Sequence, residues 1–170
     1  MQNPLPKKKY KTIYADPPWN ESGGGKIKRG ADKHYPLMSN RDIKLLPVSN
    51  IAEPDCYLFM WVTNNFLPEG LDTMRHWGFR YVTNLVWGKP SFGLGQYFRG
   101  QHEICLFGVR GKLKKKVNNE STLILKPKEK HSKKPEGFYD KIERVAYPPF
   151  IELFARQRRE GWDSWGNEID

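Results

Sequence analysis

The sequence YADPPWN, at residues 14–20, constrains the fold more than any other stretch of the chain. Proline donates no backbone hydrogen bond and fixes its own φ, so two consecutive prolines end any strand or helix. The residues before them, KTIYA at 11–15, form a short apolar-biased run of the kind that makes a buried strand. The pattern predicts a strand that stops at a rigid corner, with Asp16 and Trp19 on the edge of that corner.

Helix and strand signals alternate along the rest of the chain. The other strand candidates are short runs rich in apolar and aromatic residues, at 56–62, 79–89, 102–110, 121–126 and 149–156. The helix candidates have recognisable ends: 39–46 opens on a Ser39 or Asn40 cap, 66–78 ends at Gly78, and 134–148 has Pro135 in its first turn. This order predicts an α/β fold of Rossmann type.

Length and composition predict one folded domain. A chain of 170 residues with 38% hydrophobic residues can bury one core, and 14% aromatic residues argue against disorder. The composition becomes more basic and polar after residue 110, but no internal repeat and no domain boundary is visible. We therefore expect a single domain at residues 11–170 behind a basic, flexible lead-in at residues 1–10. Cys56 and Cys105 lie in apolar runs, and we expect them as core thiols in a reducing compartment, not as a disulfide or metal pair.

The charge of the chain predicts an anionic partner. Lysine and arginine number 29 against 19 for aspartate and glutamate, which gives a formal net charge of +10. Nucleic acid is the common partner of a basic domain that is also rich in aromatic residues. The sequence shows no signal peptide and no long apolar segment, so we expect a cytoplasmic protein without a membrane partner. The four histidines are scattered without metal-ligand spacing, so no metal is expected.

The corner itself suits the chemistry of a base amine. The Asp16 carboxylate and the backbone carbonyl of Pro17 both accept hydrogen bonds, so together they can hold both hydrogens of an exocyclic NH2 group. The lone pair of such an amine is delocalised into the ring, and holding its hydrogens out of plane localises that lone pair and aims it. Trp19 offers a flat face on which an extruded base can stack. A Pro-Pro turn with a buried tryptophan is the alternative interpretation.

The chain as a whole resembles the DPPW-motif N6-adenine methyltransferase family. This family includes the catalytic subunit of the eukaryotic messenger-RNA adenosine methyltransferase, and it has many bacterial and phage members. The resemblance runs from about Lys11 to Glu168. It rests on eight blocks in order: YADPPW, HYPLMS, FMWVTN, WGFRYV, WGKP, HEICLFGVRG, HSKKPEGFYDKIE and IELFARQRREGWDSWGNE.

The resemblance implies a fold and a cofactor. The fold is Rossmann-like, with a mostly parallel central sheet flanked by helices. Its chain order is permuted, so that the DPPW motif precedes the cofactor-binding strand. The implied methyl donor is S-adenosylmethionine (SAM), with S-adenosylhomocysteine as the product. The bacterial and phage members point to the cytoplasm of a bacterium or of a phage-infected host cell.

The same resemblance implies roles for individual residues. Asp16, Pro17, Pro18 and Trp19 match the catalytic pocket, and Asp16 is also expected at the cofactor. Lys134 matches the lysine that meets the methionine carboxylate of the cofactor, and a cation suits a carboxylate. The other cofactor-binding candidates lie near the end of the chain: Phe154, Arg156, Asn167 and Glu168.

The chain departs from the messenger-RNA enzyme in two respects. That enzyme has Gln where this chain has Glu168, and it has His and Asn where this chain has Arg158 and Arg159. Its segment upstream of DPPW helps to hold the adenine of the cofactor, whereas only a short stretch precedes Asp16 here. We therefore expect part of the adenine pocket to be missing, loosely formed or supplied by a partner.

Two glycine-rich loops, at 20–36 and 90–101, flank the pocket mouth in the family. We expect their basic residues to contact phosphates and their tyrosines to stack on bases. An ordinary solvated loop is the alternative for the basic residues, and core or rim packing is the alternative for the tyrosines. The predicted nucleic-acid contacts are Lys26, Lys28, Arg29, Lys33, Tyr35, Tyr97 and Arg99.

These observations leave several functional hypotheses. The first is SAM-dependent methyl transfer to the N6 of adenine in DNA, by direct attack of the amine on the sulfonium methyl. The second is the same chemistry on RNA, since the sequence has no recognition module that separates the two. The third is a catalytically silent nucleic-acid-binding subunit, which Asp16 disfavours because silent family members lack that acid. Amino-cytosine methylation is a further option, although Trp19 favours adenine. A homodimer or a partner subunit is compatible with each.

Overall fold

The computed structural model describes residues 3–19, 38–129, 133–167 and 169 of the chain. Its strands are β1 (Tyr10–Ala15), β2 (Ala52–Val62), β3 (Arg80–Gly88), β4 (His102–Arg110), β5 (Leu123–Leu125), β6 (Phe150–Leu153) and β7 (Trp162–Trp165). They form one sheet in the order β5-β3-β4-β2-β1-β6-β7. Strand β4 pairs antiparallel with β2 and β3, and the other four pairings are parallel.

This sheet confirms the predicted fold class. It is a mostly parallel α/β sheet of the Rossmann-like methyltransferase type, and the DPPW corner precedes β6, as the permuted chain order requires. Because β1, β2, β6 and β7 are parallel, their carboxyl ends meet at the same edge of the sheet. The chain leaves that edge at Asp16, Thr63, Phe154 and Gly166. Open α/β sheets bind their ligands at this edge, so the fold positions the site there.

Among the described residues, three helices cover the two faces of the sheet. Helices α1 (Asn40–Leu45) and α2 (Leu67–His76) lie on one face, and α3 (Gly137–Val145) lies on the other. Short 3-10 turns at Val48–Asn50 and Asn64–Phe66 connect them to the sheet. The Ser39 hydroxyl accepts a hydrogen bond from the Asp42 N–H at 3.0 Å, which confirms the first of the two predicted caps.

The helix predicted at 134–148 begins later than expected. Pro135 lies ahead of α3, and its carbonyl accepts the Phe138 N–H at 2.9 Å. Residues 133–135 therefore lie before the helix, and this leaves Lys134 outside it, beside Asp16 at the edge of the sheet. The segment 159–170 was predicted only to close the chain, yet it contains β7. The two tryptophans that enclose its polar pair, in WDSW, are each 7% exposed, Trp162 in the core under α3 and Trp165 in the core on the other face.

Residues before β1 lie beside β7. The indole of Trp165 donates to the Asn3 carbonyl at 2.8 Å, and Lys8 pairs with Asp163 at 2.7 Å. Leu5 packs against the core under α1 and α2. The division of the chain at residue 10 stays a prediction.

Two further sequence expectations concern cysteines and membranes. Cys56 and Cys105 are both buried free thiols, as predicted, and burial raises the pKa of Cys56 to about 12. Within the described residues, no helix is both long enough and apolar enough to cross a bilayer.

Both cores are rich in aromatic rings, and one buried hydrogen bond joins β1 to β2 beneath α3. The Trp61 indole N–H donates to the Tyr14 hydroxyl at 2.6 Å, and both side chains are buried. A buried donor without a partner costs the desolvation of that group, about 1–3 kcal/mol. The pair therefore fixes the end of β1, two residues before Asp16, against the central strand.

Tyr14→Phe should lower the free energy of unfolding by about 1–3 kcal/mol, because it leaves the Trp61 N–H without a partner in a dry site. Tyr57→Phe is the matched control, since the Tyr57 hydroxyl reaches only the Leu113 carbonyl, at 3.4 Å and partly buried. It should cost no more than a few tenths of a kcal/mol. Urea unfolding with unchanged m values measures both. Equal losses in the two variants would contradict the role assigned to the Tyr14–Trp61 bond.

Candidate active site

The DPPW corner is fastened to the core by its last residue. The Trp19 indole N–H donates to the Trp61 carbonyl at 2.8 Å, and the ring stacks on Phe66 with centroids 6.3 Å apart. Trp19 is only 6% exposed. The structure thus places this ring in the core, where it holds the corner, and a stacking role toward a substrate base stays a prediction.

The acceptors expected at the corner are Asp16 and the Pro17 carbonyl. The Asp16 N–H reaches the Leu153 carbonyl at 3.4 Å, and the Asp16 side chain is 23% exposed. The Pro17 carbonyl accepts the Trp19 N–H at 2.9 Å, which uses one of its two lone pairs. Pro17 is buried and Pro18 is half-buried. The corner therefore presents one accessible carboxylate and a carbonyl with remaining acceptor capacity.

Lys134 lies against that carboxylate. Its Nζ is 3.5 Å from Asp16 Oδ2 and 3.0 Å from Glu103 Oε1, and it lies 5.0 Å from the centroid of the Trp61 ring. Burial alone would lower the pKa of the Lys134 ammonium, but the charges of Asp16 and Glu103 outweigh burial and hold that pKa above its usual value. Lys134 is thus a charged, nearly buried cation at the carboxyl edge of the sheet.

Glu103 is a residue that sequence reasoning missed. It lies on β4 between Lys134 and Lys89, whose Nζ is 2.7 Å from Glu103 Oε2. Burial would raise the pKa of Glu103, and the two lysines outweigh burial and lower it. Lys89, Glu103, Lys134 and Asp16 therefore form a row of alternating charges, which we call the ion-pair row. The sequence does place the two charges at the ends of consecutive strands, with Lys89 in WGKP and Glu103 in HEI. Their proximity follows only once these strands are known to pair antiparallel.

A tight turn follows β6 and meets the end of β7. Phe154 has φ 62°, the left-handed region that only glycine adopts without cost. The Ala155 N–H donates to the Trp165 carbonyl at 3.0 Å, and the Phe154 and Trp165 rings meet edge to face at 5.4 Å. A Cβ on Gly166 would lie 2.4 Å from the Ala155 carbonyl oxygen, so only glycine allows this approach. Backbone strain of this kind concentrates at functional sites.

The other predicted cofactor residues lie around this turn. Arg156 is exposed just beyond Ala155, and Asn167 is exposed just after Gly166. Glu168 lies outside the described residues. The structure thus brings Phe154, Arg156 and Asn167 to the carboxyl ends of two neighbouring strands.

A buried carboxyl group lies on β6, on the face covered by α3. Glu152 is 7% exposed, and its Oε1 accepts the Tyr139 hydroxyl at 2.9 Å. Its Oε2 and the Oγ of Ser164, which faces it across the β6–β7 pairing, are buried without a hydrogen-bond partner among the described residues. Burial raises the pKa of Glu152 to about 7; Tyr139 and Arg159 lower that pKa, and the charges of Asp16 and Glu136 raise it.

Comparison with known proteins identifies the family to which this site belongs. The MT-A70 family model matches residues 10–168, which is nearly the whole chain. The chain is also 34% identical, over 187 aligned residues, to the Type II methyltransferase M.MunI of a Mycoplasma species. That alignment covers 97% of this chain and 80% of that protein. The chain belongs to the MT-A70 family.

Eukaryotic members of the MT-A70 family also match. The human N(6)-adenine-specific methyltransferase METTL4 is 29% identical to this chain over 188 residues, which cover 96% of the chain and 38% of that protein. The N6-methyladenosine RNA methyltransferase MTA1 of the fungus Cryphonectria parasitica is 27% identical over 176 residues, which cover 94% of the chain and 52% of that protein. This MT-A70 chain thus spans only part of these longer relatives.

The predicted nucleic-acid contacts of this MT-A70 chain fall in two groups. Lys26, Lys28, Arg29, Lys33 and Tyr35 lie outside the described residues. Tyr97 and Arg99 are described: Tyr97 is 95% exposed, and the Arg99 Nε donates to the Gly93 carbonyl at 3.0 Å. Within the part of the chain that the structure describes, no group of three histidine, cysteine or acidic side chains could hold a metal ion.

The raised pKa of Glu152 predicts how stability changes with pH. Between pH 4.5 and 7 the unfolded chain loses the Glu152 proton while the folded chain keeps it, so the folded state loses up to about 3 kcal/mol as pH rises through this window. Glu152→Gln should remove this loss, which makes the variant more stable relative to the wild type at pH 8 than at pH 5. Thermal unfolding across that range measures it.

Glu120→Gln is the matched control for this prediction. Glu120 pairs with Arg144 and Lys141 on the surface, and these partners lower its pKa. Its titration therefore lies below the window, and the variant should keep the wild-type slope between pH 5 and 7. An unchanged slope in Glu152→Gln would show that Glu152 does not titrate as the structure indicates.

Proposed function

We propose that this chain transfers the methyl group of SAM to the exocyclic N6 of adenine in DNA. The observation that carries the proposal is the contact between Asp16 and Lys134 at the carboxyl edge of the sheet, 3.5 Å apart. One side chain is an acceptor for a base amine, and the other is a cation for a cofactor carboxylate. Membership of the MT-A70 family supports the same activity.

The described residues fit SAM as cofactor. An ammonium has three N–H donors, and Asp16 and Glu103 engage two of those on Lys134, which leaves one for the methionine carboxylate. The strained turn at Phe154 and the close approach at Gly166 shape the neighbouring strand ends, where Phe154, Arg156 and Asn167 would line the rest of the cofactor, together with Glu168. SAM supplies a methyl group on a positively charged sulfur.

The corner would prepare the amine. Asp16 and the Pro17 carbonyl would accept the two N–H bonds of the adenine amino group and turn its lone pair toward the methyl group. Transfer would form the nitrogen–carbon bond and break the carbon–sulfur bond, which leaves S-adenosylhomocysteine as a neutral thioether. The nitrogen would then carry a surplus proton, and Asp16, which accepts one of its hydrogen bonds, would be placed to receive that proton. Catalysis then depends on positioning and the exclusion of water, with no covalent intermediate on the protein.

DNA is the substrate that the similarities favour. The alignment with the Type II methyltransferase M.MunI covers 80% of that protein, whereas the alignment with the fungal RNA methyltransferase covers only 52% of that protein. The net charge of +10 suits either nucleic acid. The loop lysines and arginines named above would contact phosphates in both cases.

To test this function, the purified chain is incubated with labelled SAM and, in parallel reactions, with duplex DNA, single-stranded DNA or RNA. Digested products are analysed for N6-methyladenine. Label in either DNA form is the expected result. Label in RNA alone would overturn the choice of DNA, and label in none of the three, with the cofactor still bound, would favour a silent subunit.

Asp16→Ala should abolish methyl transfer, because it removes an acceptor used in the reaction. The fold should persist, because the hydrogen bond from the backbone N–H of residue 16 to the Leu153 carbonyl does not need the side chain. The loss should appear in kcat and be at least about a hundredfold. Circular dichroism and thermal unfolding serve as the controls for folding. A variant that keeps full activity would show that the Asp16 carboxylate takes no part in the chemistry.

Lys134→Ala should weaken the binding of S-adenosylhomocysteine about tenfold or more, because a charge-assisted hydrogen bond to the methionine carboxylate is lost. Lys133→Ala is the matched control one residue away. Lys133 is 42% exposed and pairs with Glu136, outside the ion-pair row, so its loss should leave affinity nearly unchanged. Isothermal calorimetry measures both. Equal effects of the two substitutions would count against a specific contact from Lys134.

A further inference from the structure

The loop between β3 and β4 exposes two adjacent aromatic rings. Tyr97 is 95% exposed and Phe98 is 90% exposed, and Phe92 and Leu94 on the same loop are about 70% exposed. A soluble domain rarely leaves several large apolar side chains together in water unless another molecule covers them. The exposure of these rings therefore points to a binding role for this loop.

The loop has a defined shape. The Gly93 N–H donates to the Gly100 carbonyl at 2.6 Å, the Gly100 N–H donates to the Leu94 carbonyl at 3.1 Å, and the Arg99 side chain closes on Gly93. A Cβ on Gly95 would lie 1.8 Å from the Phe98 carbonyl oxygen, so the tip closes only with glycine there. The hydrogen bonds hold the rings at the tip of a small hairpin, residues 93–100, which we call the aromatic hairpin.

The base of this hairpin is joined to the active site. The Lys89 N–H donates to the Gln101 carbonyl at 2.9 Å, and the Lys89 side chain begins the ion-pair row that leads through Glu103 and Lys134 to Asp16. The tip lies six to nine residues beyond Lys89, so at about 3.3 Å per residue it reaches no more than about 30 Å from that row. Stacked bases repeat every 3.4 Å, so the tip lies at most about nine stacked nucleotides from the ion-pair row.

We propose that Tyr97 and Phe98 stack on unpaired bases that flank the target adenine. This inference rests on the proposed function for the identity of the substrate, and it adds Phe98, the preformed hairpin and the bases on either side of the adenine as what the rings contact. An adenine that enters the Asp16 corner leaves its own stack, so its neighbours lose a partner on one face. Two rings next to the Arg99 cation, on a chain of net charge +10, suit the base faces and backbone of such a strand.

The test separates stacking from charge. One short single-stranded DNA carries one adenine with intact bases on both sides, and a second carries abasic sites in place of those flanking bases. Both keep the same phosphates. Binding of each is measured by fluorescence anisotropy in the presence of S-adenosylhomocysteine, which prevents turnover. The proteins compared are the wild type, Tyr97→Ser/Phe98→Ser, and Tyr81→Ser as the aromatic control.

The wild type should bind the intact strand about tenfold or more tightly than the abasic strand, and the double variant should bind the two strands alike. Tyr81 is 44% exposed at the opposite end of β3, so Tyr81→Ser should discriminate like the wild type. Gly95→Ala keeps both rings but obstructs the closure of the tip, and it should also lose discrimination.

Two results would overturn the proposal. One is a wild type that binds both strands equally. The other is a double variant that keeps its discrimination while sedimentation shows that a dimer has been lost, which would make the hairpin a contact between copies of this chain. Neither readout needs methyl transfer. A chain that discriminates between the strands but transfers no label to any nucleic acid would refute the proposed function alone.

Discussion

The site depends on one buried cation held between two carboxylates. Lys134 lies over the central part of the sheet edge, with Glu103 from β4 on one side, Asp16 after β1 on the other and the Trp61 ring of β2 below. Removing an ammonium from water is costly unless its charge is balanced nearby. The balance here comes from two carboxylates, one on β4 and one directly after β1, so the same charge positions the corner, the antiparallel strand and the segment that leads into α3.

The other half of the site, around β6, combines two structural costs. Phe154 adopts a left-handed φ, and Glu152 keeps one carboxyl oxygen buried without a partner among the described residues. Both lie on β6 or directly after it, next to the strand ends where the cofactor is proposed to bind. Costs of this kind persist where the surrounding structure fixes the geometry. Here the packed cores fix it, because Phe154 packs against the core under α1 and α2, and Glu152 accepts the hydroxyl of Tyr139 in the core under α3.

Much of this fold followed from local signals. The first strand, the Ser39 cap, the helix that ends at Gly78 and the strand at 102–110 were all predicted, because apolar runs and glycine or proline punctuation are local properties. Strand β7 was not predicted. Its four residues contain an acid and a serine, and only pairing with β6 shows that its tryptophans are buried.

Only those site residues that lie in a recognisable motif could be predicted from the sequence. Asp16 and Lys134 came from the resemblance, and their direct contact did not, because no spacing rule relates residues so far apart in the chain. Glu103 was missed for the same reason: a glutamate at a strand start has no meaning until the β3–β4 register places Lys89 beside it. The packing of the Trp19 ring against Phe66 was not foreseen, and its stacking on a substrate base stays a prediction.

That placement of Trp19 has a mechanical consequence. The Trp19 indole N–H is hydrogen-bonded to the Trp61 carbonyl, in the continuously buried carboxyl-terminal part of β2, so the corner shares the rigidity of the sheet and not that of a surface loop. A corner held in this way is rigid and does not close on its substrate. The entry of an adenine and the departure of the methylated base must then be timed by parts of the chain beyond the sheet edge, and substitutions there would alter turnover without changing the geometry at Asp16.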